Sequence, residues 1–507
     1  MTARVPVEPH TPNRSIIADL PHPTLPAVLG SAAVLLGVVF ALYYAWAGLT
    51  LSHYDAKGHL VVARRILDSL TPGWVQIGAV WLPLPHLLNV IPVQADFFYR
   101  TGASGVGLSV LAFGATVLFL AMLVLDATRS QVAAVLASLV VVLNPDVLYL
   151  QSTPMTEPLL MALTTAAAWL TIRALRSGIE KDVRRAGIAM AAACLTRYEA
   201  WPITASLLAL GLLAMVWQRH RLGAAIQRVG RPAMYPALAG LSFLALSRAT
   251  VGEWFVNSGF FVADNVAMHR PLRALVSVWW GVHELTSYPL TILGVLGLLL
   301  LVVRAVRSRE MASWVPAIAL VGAAALPWYA FYSGHPFRIR YMIPLIPVVG
   351  LGVGYAIGFA GRAKPIVAIL ALAALVVGPN PLDASAPMVI EAQWDRDHRA
   401  GRAQVAAYLR RHWDGAPIMA SMGSLAHFMQ ELSQEGCRIR DFLHEGNGDI
   451  WLAAFEYPDP HVEWMLIEEV AEGGDILAVR ARERPRFLAG YLRVAEGGGV
   501  ALYRRGR

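Results

Sequence analysis

Cysteine and charge are both scarce in this chain. Its 507 residues include 2 cysteines, and charged side chains make up 15% of them. Cys194 lies in an apolar stretch and Cys437 in a polar one, so no disulfide is expected, and so few cysteines define no redox compartment. Also missing are a Cys/His cluster, a glycine-rich loop of the kind that cradles phosphates, and a nucleophile elbow. Those absences argue against nucleotide use and against serine hydrolysis. The formal charge of +8 is not gathered into one basic run, so nucleic acid is not expected as a partner. No repeat is found, and no low-complexity tract beyond a proline-rich N-terminal tail. The start lacks a basic region leading straight into an apolar core. The first apolar run begins about 26 residues in and is longer than a signal-peptide core, so it is expected to be a retained anchor despite the cleavage-like Ala45-Trp46-Ala47.

What the chain has is apolar length. It is 56% hydrophobic with a mean hydropathy of +0.52, too apolar for a soluble globule. Spans are expected at 27–50, 104–125, 131–149, 157–175, 186–199, 200–217, 232–249, 284–305, 313–331, 341–360 and 364–380. That makes about eleven helices in a multi-pass protein of the plasma (inner) membrane. Alternate short loops carry Arg129, then Arg176 to Arg185, Arg219 to Arg231, Arg304 to Arg309, and Arg362 with Lys364. The positive-inside rule turns these loops to the cytoplasm. The tail 1–26 is then cytoplasmic. The first loop 51–103, the aromatic loop 252–284 and the C-terminal region 385–507 lie outside. From about residue 380 the chain becomes charged and reads as a small α/β domain. An amphipathic helix is expected at 401–412, strands at Pro417–Ala420 and Val462–Ile467, and a hairpin of Tyr491–Ala495 with Val500–Arg504.

Several polar constellations stand against this apolar background. His53-Tyr54-Asp55-Ala56-Lys57-Gly58-His59 directly follows the first run. The chain then stays out of the membrane for roughly 50 residues, long for a simple connection, and carries Trp81-Leu82-Pro83-Leu84-Pro85-His86 on the way. Asp55 opens an expected helix reaching Leu70, and His59 lies one turn on, so the two share a face. Such a pair can be a general base with its orienting partner, or two metal ligands, or Asp55 can simply favour a helix N-terminus. Glu157, in Thr156-Glu157-Pro158, sits at the same face of the membrane; it can serve chemistry or only complement a helix dipole, with Thr156 as cap. Thr196-Arg197-Tyr198-Glu199 breaks a pair of short arms, leaving an internal Arg197–Glu199 ion pair or an arginine facing a lipid phosphate. His335-Pro336-Phe337-Arg338-Ile339-Arg340-Tyr341 adds a second basic cluster on the face that the topology rule keeps poor in positive charge. His269 and His283 are isolated, and isolated histidines seldom bind metal.

Taken in order along the chain, Tyr54-Asp55-Ala56, Thr156-Glu157-Pro158, Thr196-Arg197-Tyr198-Glu199 and Arg340-Tyr341-Met342-Ile343-Pro344 resemble the GT-C class of membrane glycosyltransferases. The similarity is to the bacterial branch grouped with protein O-mannosyltransferases and aminoarabinose lipid A transferases. It implies an all-α polytopic fold of GT-C type, with the small α/β domain outside the cytoplasm. It implies a polyprenyl-phosphate sugar as donor, a lipid, glycan or protein hydroxyl as acceptor, membrane lipids as surroundings, and no nucleotide cofactor. Asp55 would be the base and Glu157 a second acid; Arg197, Arg338, Arg340 and Tyr341 would hold the donor phosphate. Tyr54, Lys57, His59, Glu199 and His335 would support them. Relatives carry two adjacent acids where this chain has Tyr54-Asp55-Ala56, so a divalent metal remains an open question. One carboxylate opposite an arginine pocket suits a single in-line displacement with inversion. The competing class, a transporter or lipid flippase, also uses broken helices and buried charge, but it favours inverted repeats and polar groups at the midplane.

Overall fold

The computed structural model describes residues 24–254, 265–308, 311–378 and 380–506. Most of the expected N-terminal tail, and part of the aromatic loop, lie outside the described residues. Among the described residues, seven helical segments are long and apolar enough to cross a membrane: Thr24–Trp46, Ala103–Thr128, Glu157–Ser177, Ala200–Trp217, Tyr288–Ser308, Val315–Tyr332 and Ile339–Phe359. Large apolar side chains such as Leu35, Leu42, Leu111, Leu238, Leu299 and Ile369 remain exposed on helices, as a lipid-facing surface requires.

The other expected spans are helical but shorter or more polar than a full crossing. Glu180–Cys194 ends before the Arg197 break, Lys364–Val377 has 14 residues, and Leu222–Val251 carries Tyr235, Pro236 and Arg248 within its apolar half. The expected span 131–149 divides in two. Gln131–Val142 stops, and Asn144 caps a second helix, Pro145–Leu150, by accepting from the Val147 amide at 3.1 Å. Proline at the second helix's first position suits a restart better than a continuation. At 284–305 the helix instead begins at Tyr288, because Ser287 at φ 79° separates it from Pro271–Thr286. The last of these crossings opens as a tight 3₁₀ turn, Ile339–Leu345, before Ile346–Phe359. Glycine lets that helix lie against Tyr288–Ser308: a Cβ on Gly297 would come within 1.7 Å of the Gly352 carbonyl oxygen.

The C-terminal region builds one sheet in the order β2-β1-β3-β5-β4, with β1 Ile418–Ala420, β2 Phe442–Leu443, β3 Trp464–Glu468, β4 Tyr491–Gly497 and β5 Val500–Arg505. β1 pairs parallel with β2 and β3; β5 runs antiparallel to β3 and β4. Side chains alternate between faces along each strand. Met419, Met465, Ile467, Ala501 and Tyr503 join a cluster made by this region alone. Ile418, Ala420, Trp464, Leu466, Val500 and Leu502 point the other way.

That second face is completed from the first loop. Helix Tyr54–Arg65 supplies Leu60, Val61 and Ala63 to the same cluster, packed on helix Met422–Leu432. Polar contacts pin the contact: Gln430 Nε2 donates to the Tyr99 carbonyl at 3.0 Å, and Arg440 Nε donates to Asp68 at 2.6 Å. The core of the C-terminal region is therefore shared, not entirely its own, and the region sits on the face of the first loop. Leu60→Ala, a first-loop substitution, should destabilise the C-terminal region by about 2–5 kcal/mol. Limited proteolysis of the full-length protein checks this: cleavage beyond residue 385 should quicken, and an unchanged rate contradicts the shared core.

Candidate functional site

The site begins at the first-loop helix. His53 precedes it and caps it, its Nδ1 accepting from the Asp55 amide at 3.1 Å. Neutral imidazole has one acceptor and one donor nitrogen. With Nδ1 engaged, His53 Nε2–H donates toward Glu391 Oε1 at 3.4 Å. Glu391 ends the short helix Pro387–Glu391, which is tied to the membrane bundle where the Met388 amide donates to Asp146 at 2.8 Å. The cap therefore sets where Asp55 points, and Glu391 holds the cap.

From Asp55 an alternating chain of charge runs inward. Arg340 Nη1 donates to Asp55 Oδ2 at 2.5 Å, and Arg340 Nε stands 3.6 Å from Glu157 Oε1. Arg197 Nη1 donates to the same Glu157 oxygen at 2.8 Å, while its Nε and Nη2 grip Glu199 at 3.2 and 2.7 Å. Each position follows from a local break. Pro344 sits within the 3₁₀ turn that presents Arg340, Pro158 starts the helix behind Glu157, and Arg197 occupies the turn between Glu180–Cys194 and Ala200–Trp217. Burial opposes charge on Asp55, yet the Arg340 guanidinium holds its carboxyl well below the usual carboxylate range. The Asp55 and Arg340 side chains keep 13% and 11% of their exposure while Glu157 keeps none, so a ligand meets the Asp55–Arg340 end first.

The remaining expected site residues are distributed unevenly. Tyr54 stacks on His53 with ring centroids 4.8 Å apart. His59 faces His86 across 3.1 Å. Tyr341 meets His335 Nε2 through its hydroxyl at 3.3 Å, and His335 Nδ1 donates to the Pro336 carbonyl at 2.9 Å. Arg338 lies over the Trp394 ring at 5.3 Å and has no ion pair among the described residues. Lys57 does not join the site. It reaches the other way, to Glu431 of the C-terminal region. Of the two alternatives for Arg197, the internal ion pair is the one formed. Thr156 makes no side-chain cap; its hydroxyl accepts from Arg197 Nη1 at 3.1 Å instead.

Sequence reasoning missed Glu391 and the work of His53. Glu391 falls where composition has already turned polar, so nothing local marks it as part of a membrane-face site. His53 was visible only as a polar neighbour of Asp55.

Within this site, two buried atoms have no hydrogen-bond partner among the described residues: Glu157 Oε2 and Arg340 Nε. Buried polar groups are nearly always paired, so a donor and an acceptor both left over at one place are available to a ligand. Arg340 stands between Asp55 and Glu157, and among the described residues no three metal-ligating side chains converge. The arrangement can therefore bind an anion through guanidinium and take a proton on a carboxylate.

Comparison of the whole structure places it among membrane proteins of known fold. It matches the ArnT of Cupriavidus metallidurans bound to undecaprenyl phosphate, with a TM-score of 0.56 and 12% identity over 93% of this chain and 97% of that one. The same protein in its apo state matches with a TM-score of 0.56 and 12% identity, over 93% and 98% of the two chains. The apo Archaeoglobus fulgidus oligosaccharyltransferase matches at 0.50 and 12% identity, over 90% of this chain and 70% of that one. No family model matches the sequence, and no curated protein does. The chain thus has the GT-C fold: a multi-pass helical membrane body carrying a small C-terminal sheet.

Arg197 tests the internal ion pair. Arg197→Met leaves Glu157 and Glu199 buried beside each other without their partner, which should cost about 3–5 kcal/mol. Thermal unfolding in detergent should show a clear fall in Tm, whereas an unchanged Tm would mean that the pair is structurally idle.

Proposed function

We propose that the protein is a glycosyltransferase that moves a sugar from a polyprenyl-phosphate donor to a hydroxyl of a lipid, glycan or protein acceptor, with inversion. The single observation that supports this is the Asp55–Arg340 pair at the accessible end of the charge chain. A carboxylate and a guanidinium side by side are what a displacement at an anomeric carbon needs: a base on the attacking oxygen and a cation on the leaving phosphate. The fold is that of ArnT, whose structure holds undecaprenyl phosphate.

In this reading the acceptor O–H gives its proton to Asp55 as its oxygen bonds to the anomeric carbon. The bond from that carbon to the phosphate oxygen breaks, and its electron pair leaves with the lipid phosphate. Arg338, free of a carboxylate among the described residues, meets the phosphate first. Arg340 follows, with Tyr341 beside it. Drawing Arg340 toward the phosphate removes the cation that holds Asp55 at low proton affinity. The base therefore strengthens as the donor arrives. Arg197 and Glu199 fix Glu157 behind them, and Tyr54 and His335 pack the flanks.

The topology belongs to the same proposal. The N-terminus is cytoplasmic, and the first loop and residues 385–507 lie outside an inner membrane, where such a transfer would serve cell-envelope glycosylation. Positive-inside loops support that orientation.

Comparative mass spectrometry of lipids and glycans from cells with and without the protein should reveal a product that lacks one sugar in the deletion strain. Asp55→Asn should fail to restore it, with the rate down by about 10²–10⁴, while the variant still binds donor. Full restoration by Asp55→Asn would sink the assignment of the base. Arg338→Ala should weaken binding of a short prenyl phosphate such as citronellyl phosphate by about tenfold. Titration of the purified variant decides this, and an unchanged affinity puts the phosphate elsewhere.

A further inference from the structure

His59 stands one helical turn beyond Asp55 and makes a single hydrogen bond, between its Nδ1 and His86 Nε2 at 3.1 Å. His86 Nδ1 lies 3.1 Å from the Leu82 carbonyl. A carbonyl oxygen can only accept, so His86 carries its proton on Nδ1 and its Nε2 must accept. His59 Nδ1 is therefore the donor between the two rings. Both imidazoles are neutral: they are 8% and 1% exposed, and burial pushes His86 down to about 3 and His59 well below its ordinary value. The proton count then leaves His59 Nε2 with a lone pair and no hydrogen. No described group of the protein donates to it.

The ring is also clamped. Trp81 covers it with centroids 4.2 Å apart, and Gly58 leaves room for that indole, since a Cβ there would meet Trp81 at 2.8 Å. The segment bearing Trp81 is tied to the Arg197 turn: Tyr198 donates to the Ala79 and Val80 carbonyls at 3.3 and 3.2 Å, and the Leu84 amide to the Leu195 carbonyl at 2.9 Å. Asp55 and His59 are four residues apart in helix Tyr54–Arg65, so the ring lies on the side of the helix that carries Asp55 to the charge chain.

We propose that His59 Nε2 accepts a hydrogen bond from a substrate hydroxyl in the Asp55 site, acting as a positioning residue. The inference rests on the glycosyltransferase reading and gives it a specificity element. An unprotonated nitrogen rejects phosphate and carbonyl oxygens, which have no proton to give. Among the polar groups that a sugar or its acceptor commonly carries, a hydroxyl supplies that proton. His59 is not the base, because burial first, and then His86 and the two guanidinium groups, keep its proton affinity low, while its lone pair still accepts. A site built around an acceptor discriminates strongly against a substrate that lacks the matching donor, since the buried acceptor is then left unpaired.

The hydroxyl can belong to the donor sugar or to the acceptor, and two arms tell them apart. In the first, purified full-length protein is titrated with citronellyl phosphate and with a panel of citronellyl-phosphoryl hexoses and pentoses. The gain in affinity due to the sugar is then compared between wild type, His59→Phe and His59→Gln. In the second, cells lacking the protein are complemented with the same variants and the product is quantified by mass spectrometry. Loss of the sugar's gain in His59→Phe by about tenfold or more, with citronellyl phosphate binding unchanged and His59→Gln partly restored, places the hydroxyl on the donor. An unchanged gain with product reduced at least tenfold, again rescued by His59→Gln, places it on the acceptor. If both the gain and the product persist in His59→Phe, or if His59→Gln fails to rescue, this inference is overturned alone. Wild-type protein that binds no prenyl phosphate and forms no product overturns the glycosyltransferase reading with it.

Discussion

Charge alternation is the constraint on which the site depends. Glu157 is fully buried, and a lone carboxylate there would carry a large desolvation cost. Arg197 and Arg340 flank it, each held in turn by a further carboxylate, Glu199 or Asp55. Such a network is stable only while each member has its neighbours, which is why removing a central arginine harms more than removing an exposed one. The network also forces the helix ends together. The first-loop helix, the Glu157–Ser177 helix, the Arg197 turn and the Ile339–Leu345 turn must meet at one face for the charges to be satisfied.

A second consequence concerns reactivity. The ion pair that makes Asp55 tolerable also keeps its proton affinity low, which would weaken it in the proposed role of base. In the proposed reaction a substrate phosphate competes for the same guanidinium, so binding and activation would be coupled through one contact rather than through a distant movement. Arg340 Nε and Glu157 Oε2, without hydrogen-bond partners among the described residues, are free to take partners from a ligand in that reaction.

The C-terminal sheet and the first loop form a single body on that face. One face of the sheet is filled by its own helices, the other by Leu60, Val61 and Ala63 of the helix that starts at Asp55. Lys57 faces this interface through Glu431. A helix with Asp55 paired to Arg340 on one side and Leu60 in the sheet's core on the other is fixed at both faces. His53 and Glu391 add a third tie, at its cap. Precision at Asp55 thus comes from packing that is remote from the chemistry.

Much of this was legible residue by residue. Apolar run length marks a membrane body, and strand alternation with a Gly-rich turn marks the hairpin that forms β4 and β5. The i, i+4 spacing puts Asp55 and His59 on one side of a helix, and the prolines near Glu157 and Arg340 mark where helices start. These are local or periodic properties, written within a few turns of chain. Partner choice is not. Arg340 meets Asp55 across 285 positions, His53 meets Glu391 across 338 and Lys57 meets Glu431 across 374. Charge carries no period and a side chain's direction depends on what packs around it, so only the tertiary structure decided that Lys57 turns away from the site, that Arg197 is spent on carboxylates, and which nitrogen of His59 is left to accept.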